Sequence, residues 1–484
     1  MTITTVTSRK LLPTTLAVAL AGLLMVSGCT KQADEDINAA TETQTEVAST
    51  ETADNSEMTA AEKAHIDRLI ISYANMAHAA YKDSLDTAKA LQTAVETYVA
   101  TPTQENLDAA KAAYKAARQP YSQTEIFRFD EALLPMTNVL STASIAGKQI
   151  NAWPLDEALI DYVGDDYEGE YNSQENIINS DSITVGSIKQ DTSTITPELL
   201  AEMNEIGGSE ANVTTGYHAI EFMLWGQDNN GVKEGAGNRP VTDYATQAGQ
   251  CTSGETVNED ASICERRGEF LTAATQLLVD DLTAMEAQWQ PDTENTLRSD
   301  LIARKYDNGL RQIMYQMGSL ALGELASERM QVAFVTGSTE DEHECFSDLT
   351  HLSYANNARG IQNVFNGSYT TVAGKTVGGY GIKDYLTDNG HTEAADKLAA
   401  EFNKVEGAFN VIVEKGEKDG IKIDQMIATV GQASQEGISA EEQNVRRGWV
   451  EAGITSLQEL TASIENAAKA VGIDNLDADA GSQF

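Results

Sequence analysis

An all-α fold is predicted for this chain by three observations. Apolar residues recur at threes and fours over several long stretches, helix caps and prolines punctuate those stretches, and strand-like alternation is scarce. Two helical-bundle domains with long ordered connections are the expected architecture.

The first segment precedes the fold. Arg9 and Lys10 lead into the apolar run LLPTTLAVALAGLLMV, and Val26, Ser27 and Gly28 before Cys29 resemble the bacterial lipobox. Residues 1–28 therefore read as a lipoprotein signal peptide, with Cys29 carrying the lipid anchor to the membrane; a simple cleaved signal is the alternative. Thr30 follows the cysteine where proteobacterial lipoproteins of the inner membrane carry Asp, and by that analogy the outer membrane is expected. No later stretch reaches the ~20 apolar residues of a membrane span. Residues 29–58, rich in Thr, Glu, Asp and Ala, cannot bury enough apolar surface to fold and read as a disordered acidic tether.

Residues 59–290 form the first expected domain. Ile66, Leu69, Ile70, Tyr73, Ala77, Ala80, Leu91, Val95 and Tyr98 predict one long amphipathic helix over 59–100. The next helix is expected to start with Thr101 as cap, Pro102 in the first turn and Gln104 in a capping box, and to stop at Pro120. So short a turn makes the two antiparallel. A long mixed connection over 137–215, with a capped helix at Thr196 and Pro197, is of the kind that builds or covers a site. A further helix is expected over 262–288.

Residues 291–484 form the second. One helix is expected over 297–335, where Leu301, Leu310, Ile313, Met314, Met317, Leu320 and Leu325 make a stripe, with others over 393–415 and 440–470. SYTTVAGKTV, residues 368–377, reads as a small hairpin or only a loop.

Composition limits the function. The formal net charge is −41, from 33 Lys plus Arg against 74 Asp plus Glu, so nucleic acid and anionic lipid are repelled. Of the four cysteines, Cys251 and Cys264 lie in a polar, Gly-containing stretch. An exported protein meets an oxidising compartment, so a disulfide between them is expected, leaving Cys345 free.

The chemistry-bearing stretch is GSEANVTTGYHAIEFMLWGQD, residues 208–228, in which Gly216, His218 and Glu221 have the spacing G-x-H-x-x-E. On a helix, positions i and i+3 share a face, so an imidazole and a carboxylate can address one point as metal ligands. A hydrogen-bonded helical pair is the plainer reading. The apolar residues around His218 demand that one face be buried, and a buried charge wants a partner or a metal. Gly216 would let another backbone approach, or would end the preceding loop.

GYHAIEFMLWGQD, RQPYSQTEIFRFD (118–130), NAWPLDEALIDYV (151–163), MGSLALGELASERM (317–330) and CFSDLTHLSYANNARGIQNVFNG (345–367) together resemble the imelysin family, most closely its iron-regulated protein A branch. The resemblance implies two bundles related by an ancient duplication, export to the periplasm or cell surface, and a part in iron acquisition. It also brings a peptidase label, and it makes G-x-H-x-x-E the family's hallmark, met here by Gly216, His218 and Glu221.

Neither H-E-x-x-H nor H-x-x-E-H is present, since Phe222 follows Glu221. The expectation is therefore an iron-binding protein, taking the ion or an iron chelate and working with an iron-uptake membrane protein. A zinc metallopeptidase using the same pair is the alternative, and a non-catalytic surface interaction module the second.

Glu125, set among Tyr121, Ile126 and Phe127, is the candidate third ligand, against an ion pair with Arg118 or Arg128. Asp348 and His351 repeat the i, i+3 spacing as a candidate second-half site, against a helix cap and a satisfied core histidine. Arg359 is a candidate for an anionic group on a metal carrier, against a loop-to-carboxylate tie. Residues 340–344, EDEHE, are expected to be a solvated acidic turn. Setting Gly216 on Gly360 places Ile220 on Val364 but His218 on Gln362 and Glu221 on Phe365, a faint internal repeat in which one copy lost the ligands.

Overall fold

The longest apolar-periodic stretch becomes the longest helix, α1 (Ala60–Ala100), opened by a capping box in which Thr59 and Glu62 bond each other's backbone N–H. It belongs to a computed structural model that describes residues 58–128, 148–164, 167, 175–233, 235–304, 306–474 and 476. The expected signal peptide, the lipid-anchor residue Cys29 and all of the tether but Met58 lie outside the described residues.

The second helix, α2 (Gln104–Thr124), departs from expectation at both ends. Its cap is Thr103, whose hydroxyl accepts from the Asn106 N–H, and Pro120 lies inside it. A proline inside a helix costs a hydrogen bond. Burial of Ala117, Pro120, Tyr121 and Thr124 holds the last turn in place regardless.

The connection toward the motif carries the hairpin β1 (Ser182–Val185) and β2 (Ile188–Asp191), then α3 (Pro197–Met203), capped by Thr196 as its sequence predicts. The motif forms α4 (Gly216–Trp225). A two-residue ladder, β3 (Thr252–Ser253) with β4 (Thr256–Val257), lies beside the disulfide that joins Cys251 to Cys264, and α5 (Ser262–Trp289) follows.

The expected helix 297–335 is four pieces: α6 (Leu297–Ala303), α7 (Tyr306–Gly318), a π-helical segment (Ser319–Gln331) and α8 (Val332–Thr336). The apolar stripe survives these changes of pitch because Leu301, Leu310, Met317, Leu320 and Leu325 are all buried. A π-turn widens the helix and moves the side chains after it around the axis. Arg329 is thereby buried while Glu328 beside it stays exposed.

The rest is α9 (Thr350–Asn366), the hairpin β5 (Ser368–Thr370) with β6 (Thr376–Gly378), α10 (Ile382–Asp388), α11 (Thr392–Lys418), the short α12 (Ile423–Ile427) and α13 (Val430–Gln435), and α14 (Ala440–Ala470). In packing, α1 lies against α2 and α5, α11 against α14, and α9 against both α2 and α11. The described residues fall in one compact unit. The fold is all-α with small strand pairs, and among the described residues no helix is long and apolar enough to cross a membrane.

Candidate functional site

All ten residues of α4 are buried. Its sequence has no polar face to give to water, so the helix is a core element and its polar atoms must find partners within the protein. Gly216 starts it at φ +76°, where a Cβ would stand 2.2 Å from the Gln149 carbonyl oxygen and 2.4 Å from that of Ile150. Only glycine lets this backbone pass over the helix start. Gly226 ends the helix at φ +73°, its N–H bonded to the Phe222 carbonyl.

His218 and Glu221 turn to each other. The imidazole Nδ1 lies 3.1 Å from Glu221 Oε2, which also accepts from the Tyr114 hydroxyl at 3.2 Å. Glu221 Oε1 accepts from both the backbone N–H and the hydroxyl of Ser347, at 3.0 and 2.6 Å. Four donors thus occupy the two oxygens. In this arrangement Glu221 fixes the ring of His218, and it is the imidazole that is offered outward.

Burial, aided by the charge of Arg118, lowers the His218 pKa to about 3, so the ring is neutral at neutral pH. Burial raises Glu221 to about 7 against the pull of Ser347 and Arg118. Above that pH the carboxylate accepts Nδ1–H, which leaves a lone pair on Nε2. That nitrogen is buried and has no hydrogen-bond partner. His218 lines a cavity of about 820 Å³ with His343, Cys345, Trp153 and several carboxylates. A histidine whose one nitrogen is tied to a carboxylate and whose other is free is the form in which proteins offer imidazole to a metal.

His343 overturns the expectation of a solvated turn at 340–344. Glu342, His343 and Glu344 are 1%, 2% and 0% exposed. The His343 ring packs edge-on between His218, at 4.8 Å between centroids, and Trp153, at 5.5 Å, and its Nδ1 has no partner. Glu344 is held by Arg118 and Ser353. The loop is drawn inward because Arg118, buried on α2, needs an acid.

The other candidates lie elsewhere. Glu125, in a tight turn at the end of α2, is 1% exposed and does not line the cavity. Its oxygens take Arg329 at 2.6 and 3.2 Å, Asn357 at 3.0 Å and Arg128 at 3.0 Å. Burial opposes its charge, but the two guanidinium groups outweigh burial and hold its pKa at about 2. The structure thus gives Glu125 its Arg128 pair and adds Arg329.

Asp348 and His351 do not meet either. His351 Nε2 bonds Glu417 at 2.8 Å on α11, with its ring against Gly416. Asp348 caps no helix: α9 begins after Leu349 without a side-chain cap. Arg359 is exposed on α9 and does not line the cavity. Gly360, the expected counterpart of Gly216, lies within α9 against the Gln123 backbone.

Asp348 sits at φ +56° and is 4% exposed, with Oδ1 unpartnered; both oxygens of buried Glu342 and Asp424 are unpartnered too. Burial and the neighbouring acids raise all three, Asp348 to about 7. A carboxyl raised in the folded state stabilises fully below its unfolded pKa, and that contribution is lost as pH rises through the folded value. Asn tolerates the left-handed conformation. The stability of Asp348→Asn relative to wild type is therefore expected to improve by on the order of 2 kcal/mol between pH 5 and pH 8. Thermal melts at the two pH values check this; an equal difference at both would show that Asp348 is not the titrating group.

Among the described residues, no group of three or more His, Cys, Asp and Glu is arranged to hold a metal. The donors fit an incoming ion that keeps part of its own shell and gains His218 Nε2. A hydrolytic zinc site has three protein ligands and an open position, and among the described residues no such trio is arranged together. A second concavity of about 550 Å³, lined by Val99, Tyr244, Gly268 and neighbours, is mostly apolar and offers no such donor.

A family model described as imelysin, under a peptidase label, matches residues 77–464. No curated protein matches the chain. Two crystal structures share its fold at 15% identity and a TM-score of 0.51. One is of a protein described as an iron-regulated protein A precursor from Parabacteroides distasonis, matched over 83% of this chain and 95% of that one. The other is of an imelysin-like protein from Psychrobacter arcticus, over 85% and 96%.

Proposed function

Since this chain belongs to the imelysin family, we propose that its role is iron-related and exercised outside the cytoplasm: it takes iron as cargo at the cavity over His218. The observation that carries this is the His218 Nε2 atom, buried, neutral, unpartnered and oriented from behind by Glu221. The iron-regulated description of one structural neighbour supports the same direction.

Neutral imidazole suits iron among several first-row ions. His218 supplies one nitrogen, the His343 ring stands next to it, and the ion's own ligands complete the shell. Glu221, Tyr114 and Ser347 hold the ring; they do not touch the ion. Cys29 would carry the lipid anchor and residues 29–58 the tether, placing the folded unit at the outer membrane beside an uptake protein.

Anaerobic Fe(II) titration of the full chain tests the reading. His218→Ala is expected to lower affinity by at least ~100-fold and Glu221→Gln by roughly 10–100-fold, as for a residue that orients a ligand. Unchanged affinity in H218A would sink it.

A further inference from the structure

We propose that the cavity over His218 selects its ligand by charge, taking a metal as a hydrated cation and rejecting metal held in anionic chelates such as carboxylate complexes. This rests on the reading of His218 given above and adds the form in which the metal arrives.

Five carboxyl side chains line the cavity, those of Asp156, Glu157, Asp228, Glu340 and Asp341, and among the described residues no lysine or arginine does so. They come from three separate segments, around 156, 228 and 340, so the negative wall is not the accident of one acidic run. The buried guanidinium of Arg118 gives its Nε to Glu344 and one terminal nitrogen to Asn151, keeps Nη2 unpartnered, and does not line the cavity. Arg359, the residue best suited by sequence to receive an anionic carrier, is on the outer face of α9.

The acids also feel one another. Glu157 is raised to about 8 by burial and by Glu340 and Asp156, and Glu340 by burial and by Asp228 and Asp341. A cleft walled by one sign of charge concentrates the opposite ion. The overall charge of −41 adds to that field at longer range. Among the described residues that line the same space, His218 and His343, 1% and 2% exposed, each carry a buried imidazole nitrogen without a partner, Nε2 and Nδ1.

An anionic chelate meets this wall twice over. It brings like charge into a partly enclosed space, and its oxygens find no lysine or arginine among the described residues that line it. A hydrated ion meets acceptors for its water protons on the acidic lining residues and exchanges one water for the imidazole nitrogen.

The test uses the full chain with two probes, Fe(II) chloride under anaerobic conditions and ferric citrate, each titrated into wild type, His218→Ala and the double variant Asp228→Asn, Glu340→Gln. Both substituted acids lie at the cavity rim and are at least partly exposed. Fe(II) is expected to bind through His218 at least tenfold more tightly than ferric citrate. The double variant is expected to weaken Fe(II) several-fold and narrow the gap. Should the variant not fold, the salt series on wild type decides: Fe(II) affinity falls from low to high ionic strength under the proposal.

Ferric citrate binding as tightly as Fe(II), lost in His218→Ala, would overturn the charge selection while leaving the iron site standing. A gap unchanged in the folded double variant, or Fe(II) affinity indifferent to salt, would do the same. Binding of both probes that ignores His218 would overturn the iron site and the charge selection together.

Discussion

Arg329→Met is expected to destabilise the protein by about 3–5 kcal/mol, the cost of leaving a buried charge without its partner. Arg329 grips Glu125 with both terminal nitrogens and reaches Asn357 at 2.6 Å and Glu324 at 2.8 Å. Glu125 closes α2, Asn357 is on α9, and Arg329 comes from the π-helical segment, so one guanidinium ties three elements. Arg128 remains on Glu125 at 3.0 Å but is itself shared with Glu324. That residual pair keeps the cost at the lower end of the range. Urea unfolding measures the loss. Glu125→Gln in the same background should recover much of it by removing the orphaned charge. A cost below ~1 kcal/mol, or no recovery, would mean that water replaces Arg329.

The helices were legible because their apolar spacing is the same quantity that the core uses: Ile66, Leu69, Ile70, Tyr73, Ala77 and Ala80 are all buried on α1. Their interruptions were not. Pro120 is tolerated in a buried turn of a helix that packs against α1, α9 and α4, and the breaks and π-turns between 297 and 336 leave the apolar stripe intact. Spacing brought out His218 and Glu221 together, but it could not show that their partners are Tyr114 and Ser347, 107 and 126 residues from Glu221. Those partners, together with His218 Nδ1, meet both oxygens of the carboxylate. His343 was hidden for a related reason. In sequence it belongs to an acidic pentapeptide, and only the pull of Arg118 on Glu344 brings that segment inside. The count of six histidines was the usable signal, since a residue this rare beside the motif's own histidine merits weighing as a site.

Gly216→Ala is expected to cost about 3–5 kcal/mol, the sum of a left-handed conformation forced on a residue with a Cβ and a collision that the fold cannot relieve. The atoms in the way are the carbonyl oxygens of Gln149 and Ile150, which have no rotamer to change. Thr215 bonds the same Gln149 carbonyl at 3.0 Å, so moving that strand of backbone also breaks the contact holding the start of α4. Gly186 separates the two contributions: its φ is +59°, yet nothing lies within 4 Å of where its Cβ would stand. Gly186→Ala should therefore show the conformational cost alone, about 1–2 kcal/mol. Urea unfolding of both variants makes the comparison. If Gly216→Ala is no worse than Gly186→Ala, the close passage over the helix start is not a constraint. If it is worse and the surviving folded protein also loses Fe(II) affinity, the glycine of the motif acts by setting where α4 begins. His218, two residues on, inherits its position from that start.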